Sequence, residues 1–285
     1  MRILLTGKNG QVGWELQRAI APLGEVIACD RSNLDLANPD QIVAVVRETK
    51  PQIIVNAAAY TAVDKAESEP ELAHAINACA PGILAEEAKK LGALLVHYST
   101  DYVFDGTKVG SYTEKDAPNP ISVYGRTKLA GEQAIQASGC RHLIFRTSWV
   151  YGPRGKNFLL TILRLARERD TLNVVDDQTG SPTSANMIAE ATLACIQKAA
   201  NSVPGRGIFH MTAMGETTWC RFAKAALTQA GLGMQINPIP SAQYPTPAKR
   251  PSNSCLDNSL LYKTFGVRLS PWRKGLESVI NKLAN

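Results

Sequence analysis

The chain has 285 residues, more than a small single domain holds, so one large α/β unit with an appended lobe is expected rather than two unrelated domains. Apolar residues make up 45% and charged residues 20%, an ordinary globular balance that argues against a disordered or fibrous chain. The net charge of +6 is spread without a Lys/Arg run, which disfavours nucleic acid and fits small anions such as a dinucleotide or a nucleotide-diphosphate, or simply a solvated surface.

In chain order, short apolar runs alternate with helically spaced segments, the mark of βαβ units on a parallel sheet. Strands are expected at Arg2–Thr6, Glu25–Asp30, Gln52–Asn56, Leu94–Ser99 and His142–Thr147, and helices at Gln11–Ala21, Pro39–Glu48, Glu71–Leu91 and Ser122–Ala137. After Val150 the order loosens into a helix at Phe158–Arg169, a strand at Leu172–Val175, a helix at Asn186–Lys198 and a strand at Ile208–Met211. Helices at Trp219–Ala230 and Trp272–Leu283 follow, and the proline-rich stretch from Pro238 to Pro251 reads as an extended, ordered loop. The expected fold is a doubly wound parallel sheet over residues 1–150 that binds a dinucleotide. Residues 151–285 are expected to form mainly a smaller C-terminal substrate-binding lobe, with some segments returning to the first domain.

Six cysteines lie far apart with no C-x-x-C and no zinc-type pairing with the four histidines, so reduced thiols in a cytosol are expected. Met1 leads into an apolar segment too short for a signal sequence, and no run approaches membrane-spanning length; a soluble, cytoplasmic protein with no membrane partner is expected.

Three motifs carry the chemistry. Gly7-Lys8-Asn9-Gly10-Gln11-Val12-Gly13 follows a strand and opens a helix, the context of a dinucleotide fingerprint: Gly7 for the turn, Gly10 for approach to a pyrophosphate, Gly13 for close helix packing. Asp30 ends the second strand about 20 residues beyond the glycine turn, where an acid can bind ribose hydroxyls and favours NADH. Arg31 and Ser32 can hold a 2'-phosphate, so NADPH stays open. Asp35 can reach the adenine side, and the small residues of Asn56-Ala57-Ala58-Ala59-Tyr60-Thr61 let backbone lie against a flat ligand.

The third motif pairs Tyr124 and Lys128 one helical turn apart, with Thr100 at the end of the fourth strand. The Lys128 ammonium is expected to lower the Tyr124 phenol pKa by favouring the phenolate, and the Thr100 hydroxyl to donate to a substrate carbonyl.

These motifs, with Ser99 to Gly106 and Phe145 to Gly152, resemble the extended short-chain dehydrogenase/reductases, which share the Rossmann fold. Within that superfamily the chain most resembles the dTDP-4-dehydrorhamnose reductases, through Val63 to Glu67, Asp177 to Thr183 and Tyr244 to Pro251, over essentially the whole length. The resemblance implies NADPH- or NADH-dependent reduction of the C4 keto group of a dTDP-linked 4-keto-6-deoxy sugar, with Thr100, Tyr124 and Lys128 as catalytic residues. It implies cofactor contacts at Gly10, Gln11, Val12, Asp30, Asp35, Leu36, Ala59, Tyr60 and Thr61. Asp101 and Trp149 would lie beside the sugar, and Arg250 and Lys249 would meet the diphosphate. The family also uses Mg2+, bridging a homodimer in some members; Glu15 is a ligand candidate by position, although a solvated helix carboxylate is the plainer reading. A dehydratase is disfavoured, because Tyr102 stands where that family commonly has Glu. An epimerase shares the Tyr/Lys pair, and a binding module resembling the methionine adenosyltransferase regulatory subunit is the rival from another class.

Overall fold

The computed structural model describes residues 1–200 and 206–284. The N-terminal half runs β1 (Arg2–Thr6), α1 (Gln11–Ala19), β2 (Glu25–Cys29), α2 (Pro39–Thr49), β3 (Ile53–Asn56), α3 (Val63–Ala66), α4 (Pro70–His74), a π-helical turn at Ala75–Cys79, α5 (Ala80–Leu91), β4 (Leu94–Thr100), α6 (Val123–Ser138) and β5 (Arg141–Thr147). The C-terminal half adds β6 (Val150–Tyr151), α7 (Phe158–Leu165), β7 (Thr171–Val175), β8 (Thr179–Gly180), β9 (Thr183–Ser184), α8 (Ala185–Ala200) and β10 (Arg206–His210). It ends with β11 (Thr217–Thr218), α9 (Trp219–Ala230), β12 (Gln235–Ile239), β13 (Asn253–Ser254), α10 (Ser259–Phe265) and α11 (Trp272–Ala284).

Six parallel strands form the main sheet in the order β10-β5-β4-β3-β1-β2. Alternate residues feed two cores, as the period of a strand requires. Ile3, Leu5, Val55, Val96 and Phe145 pack on the face covered by α1 and α8, and Leu4, Ile54, Leu95 and Ile144 on the face covered by α2, α5 and α6. β2 and β3 flank β1 on opposite sides, so the chain reverses direction across the sheet there and leaves a crevice at the strands' carboxyl ends. β10, from the C-terminal half, pairs with β5.

Capping residues explain where the site helices begin: Asn38, Ser122, Asn157 and Thr218 each accept a backbone N–H from the first turn of α2, α6, α7 and α9. The expected continuous helix at Glu71–Leu91 is instead broken by the π-helical turn at Ala75–Cys79. The interruption frees Asn77, whose side chain accepts from Tyr60 N–H and donates to Tyr60 C=O, pinning the loop after β3. Helix Phe158–Arg169 ends early, at Leu165, while β12 and α10 escaped the sequence pattern. Among the described residues no helix is long and apolar enough to cross a membrane, and all six cysteines are free.

Candidate active site

The glycine turn lies at the carboxyl end of β1. Gly7 has φ +73°, and a Cβ on Gly13 would fall 2.1 Å from Gly7 O, so α1 approaches the turn closely only because position 13 lacks a side chain. Gly10 N–H donates to Gly7 C=O, while the Gln11 carboxamide accepts from Asn157 at the start of α7, tying the turn to the C-terminal half. Val12 packs into the first core. This backbone-lined cradle at a helix N-terminus fits a dinucleotide pyrophosphate.

Asp30 stands beside it, but its carboxylate is engaged by its own surroundings: Lys8 Nζ at 3.1 Å, Asn9 Nδ2 at 3.1 Å and Ser32. Hydrogen bonds from Ser32 and Lys8 hold it well below the usual carboxylate range. Asp35 accepts from Arg31 and from Ala37 N–H within its own turn. Leu36 is buried in the second core, so its side chain faces away from solvent. Ala59 is half-buried and Thr61 exposed, whereas the Tyr60 hydroxyl donates to Glu69 at 2.6 Å.

At the carboxyl end of β4, Thr100 accepts from Tyr102 N–H and donates to Asp101 Oδ1, both at 3.1 Å. Tyr124 rises from the first turn of α6; its ring meets Tyr102 edge-on, with centroids 5.5 Å apart. The expected depression of its phenol pKa does not occur. Burial raises it, Asp101 and Tyr102 add to the rise, and the hydrogen bond with Thr100 only opposes it in part. The reason lies in Lys128, whose Nζ turns to β4, donating to Tyr98 C=O at 2.6 Å and meeting His97 Nε2 at 3.2 Å. Burial lowers Lys128 to about 8 against the pull of Glu132. Tyr124 is thus a firmly protonated donor.

Asp101 is buried, and burial lifts its carboxyl to about 6 against hydrogen bonding from Ser254, Thr100 and Ser148. Trp149 takes an αL backbone, φ 49°, and its indole stacks on Trp219 with centroids 3.5 Å apart. A Cβ on Gly180 would fall 2.5 Å from the same indole, so one ring face is covered and little room is left beside it. Arg250 donates to Asp64 on α3 at 2.8 Å, while its buried Nε has no partner among the described residues; Lys249 is exposed.

Glu15 corrects the expectation of a solvated carboxylate: it is 3% exposed, paired with Arg18 at 2.9 Å and facing Lys282 at 3.8 Å. Among the described residues no cluster of His, Cys, Asp and Glu is built to hold a metal, and a cation-flanked glutamate does not fit Mg2+. The structure adds His97 behind Lys128 and Trp219 on Trp149, which the sequence pattern passed over, and gives partners to two residues quoted only within motifs: Asn56 on His97 and Asp64 beside Arg250. A lone histidine in the apolar run Leu94–Thr100 was the one available signal, since a buried polar side chain requires a partner.

Comparison with known proteins agrees over the full length. Residues 1–285 match the family model described as the RmlD substrate binding domain. A protein of Escherichia coli named dTDP-4-dehydrorhamnose reductase is 48% identical, with 99% of this chain and 98% of that one aligned. The crystal structure of a dTDP-4-dehydrorhamnose reductase from Clostridium acetobutylicum is 40% identical, covers 100% of both chains and superposes with a TM-score of 0.95. One from Bacillus anthracis, in complex with NADP, is 36% identical over 99% of each chain, with a TM-score of 0.92. The chain belongs to the RmlD substrate binding domain family.

Proposed function

We propose that the chain is an NAD(P)H-dependent oxidoreductase that reduces the C4 keto group of dTDP-4-dehydro-6-deoxy-L-mannose to give dTDP-L-rhamnose. The observation that carries this reading is the meeting of Thr100, Tyr124 and buried Lys128 at the carboxyl end of β4, in a chain similar throughout to proteins named for that reaction. Residues 1–150 hold the dinucleotide, and 151–285 mainly build the sugar site. Gly7, Gly10, Gln11, Val12 and Gly13 face the pyrophosphate, and Ala59, Tyr60 and Thr61 approach through backbone. Asp30 and Asp35 lie towards the adenosine, with Leu36 contributing main chain. Lys8 and Ser32 crowd Asp30, and Arg31 stands beside it on Asp35, groups suited to a 2'-phosphate, which favours NADPH over NADH.

A bound reduced nicotinamide supplies hydride to C4, and the protein supplies the rest. Tyr124 donates its phenolic proton to the C4 oxygen as negative charge develops, so hydride plus proton converts ketone to alcohol. Thr100 turns its hydroxyl from Asp101 to that oxygen, steadying the charge. Lys128, with one ammonium hydrogen beyond those directed to Tyr98 and His97, holds the nicotinamide ribose. Asp101 and Trp149 border the sugar, and Arg250, with one unpartnered N–H, meets the diphosphate.

Loss of NADPH or NADH absorbance with the dTDP-linked 4-keto sugar tests the reading. Tyr124→Phe is expected to slow turnover about 10²-fold or more while retaining cofactor binding. Near-wild-type turnover in that variant would remove Tyr124 from its role, and no oxidation of either cofactor by the wild-type chain would overturn the reaction itself.

A further inference from the structure

Lys128 is one end of a buried chain of side chains that crosses three strands. Thr6, Asn56 and His97 occupy one rung of the sheet, paired across β1, β3 and β4. From Lys128 Nζ the chain runs to His97 Nε2 at 3.2 Å and from His97 Nδ1 to Asn56 Nδ2 at 3.0 Å, while Thr6 Oγ1 donates to Asn56 Oδ1 at 2.7 Å. Thr6 Oγ1 also accepts from Ala58 N–H at 3.2 Å, one residue before the segment proposed to meet the cofactor. Thr6, Asn56, His97 and Lys128 are each 1% exposed, so water cannot substitute for a missing partner.

The donor rules leave two arrangements. A charged Lys128 has hydrogens and no lone pair, so His97 Nε2 must accept. Burial, reinforced by Lys128, holds His97 well below its ordinary pKa, so the ring is neutral and its single hydrogen then sits on Nδ1. Asn56 must then turn end for end from that placement, giving its oxygen to His97 and its NH2 to Thr6. A neutral Lys128 reverses every bond: Nε2–H donates to Nζ, Nδ1 accepts from Asn56 Nδ2, and Asn56 Oδ1 accepts from the Thr6 hydroxyl. A carboxamide can present either end, which makes the reversal accessible.

We infer that His97, oriented by Asn56, is a positioning residue that holds Lys128 in the site, and that the charge of Lys128 sets the direction of the hydrogen bonds from His97 to Thr6. The charged groups acting on the pair are Lys128 itself on His97 and Glu132, one turn along α6, on Lys128. Glu132 is in turn held by Ser99 and Arg146, so it is a fixed charge rather than a competing partner. Without the His97 acceptor one ammonium hydrogen is left unpaired in a buried place, which favours the neutral amine and frees Nζ to move. The consequence for turnover rests on the reductase reading above; the tautomer does not.

Nitrogen-15 NMR of the histidine-labelled wild-type chain, without substrate, reads the tautomer directly. Below the Lys128 titration the His97 ring is expected to carry hydrogen on Nδ1 only, and above it on Nε2 only. An imidazolium, the opposite tautomer at low pH, or a tautomer indifferent to that titration would overturn the inference while leaving the reductase reading intact. In the pH profile of kcat/KM, His97→Phe is expected to move the basic limb down by about one pH unit, the scale of one hydrogen bond to a charged group. His97→Gln, which keeps an acceptor towards Lys128, should bring the limb back. A folded His97→Phe with a wild-type limb would overturn the role, and if that variant fails to fold, the wild-type tautomer decides.

Discussion

Asp101 carries the plainest pH signature in the site. Its carboxyl is raised from 3.8 to about 6, chiefly by burial, so the folded chain binds that proton more tightly than the unfolded one. The folded state is therefore not penalised below about pH 4, loses stability as pH rises from about 4 to 6, and carries the full penalty above that. Asp101→Asn removes the charge at nearly constant shape, so it is expected to stabilise the fold at pH 8 by on the order of 2 kcal/mol and to give no gain at pH 3. Urea midpoints at the two pH values check this; an equal gain at both would place the effect in packing instead. The identity of such site residues is legible in sequence, since Thr100, Tyr124 and Lys128 stand out by type and spacing. Their proton affinities are not, because burial and the turn of Lys128 towards Tyr98 come from strands distant in the chain.

At the level of elements, the seat of α6 matters most, since it carries both Tyr124 and Lys128. Between them Gly125 packs against the segment after β4: a Cβ there would fall 2.2 Å from Tyr102 O and 3.0 Å from Pro120. Gly125→Ala must push the helix away, at a cost of about 1–3 kcal/mol, with kcat falling more than cofactor affinity because the glycine turn lies on other elements. Arg126→Ala, exposed on the same helix, should change neither, and a Gly125→Ala variant with wild-type kcat would show that α6 tolerates displacement. The βαβ half was legible because periodicity, caps and glycine turns agree there, and β1 falls on the residues the pattern indicates; in the C-terminal half α9 does so too. The π-helical turn was not, since Asn77 gains its partner, Tyr60, only through tertiary contact. The two-residue strands β6, β8, β9, β11 and β13 carry too few positions to show a period.

Across the whole molecule, polar ties join the two halves, and Asp64 makes two of them. Its Oδ1 accepts from Ala248 N–H at 3.2 Å and its Oδ2 from Arg250 at 2.8 Å, so α3 ties the end of the proline-rich loop to the N-terminal half, beside the bonds of Ser252 to Gly106 and of Asn253 to Lys108 and Gly110. The pair is partly exposed, 31% and 40% for the two side chains, so its removal is expected to cost less than about 1 kcal/mol in stability. Its effect should lie in binding. Arg250 keeps a buried Nε–H without a partner among the described residues, which suits an anion, and Asp64 fixes the direction in which the guanidinium fork points. Asp64→Ala is therefore expected to raise KM for the nucleotide sugar about tenfold, the scale of one charge-assisted hydrogen bond, while cofactor affinity and melting temperature stay near wild type. Steady-state kinetics at saturating NADPH, set beside a thermal melt, separate these effects. An unchanged KM would mean that the loop reaches its binding position without Asp64, whereas a large fall in melting temperature would make the tie structural.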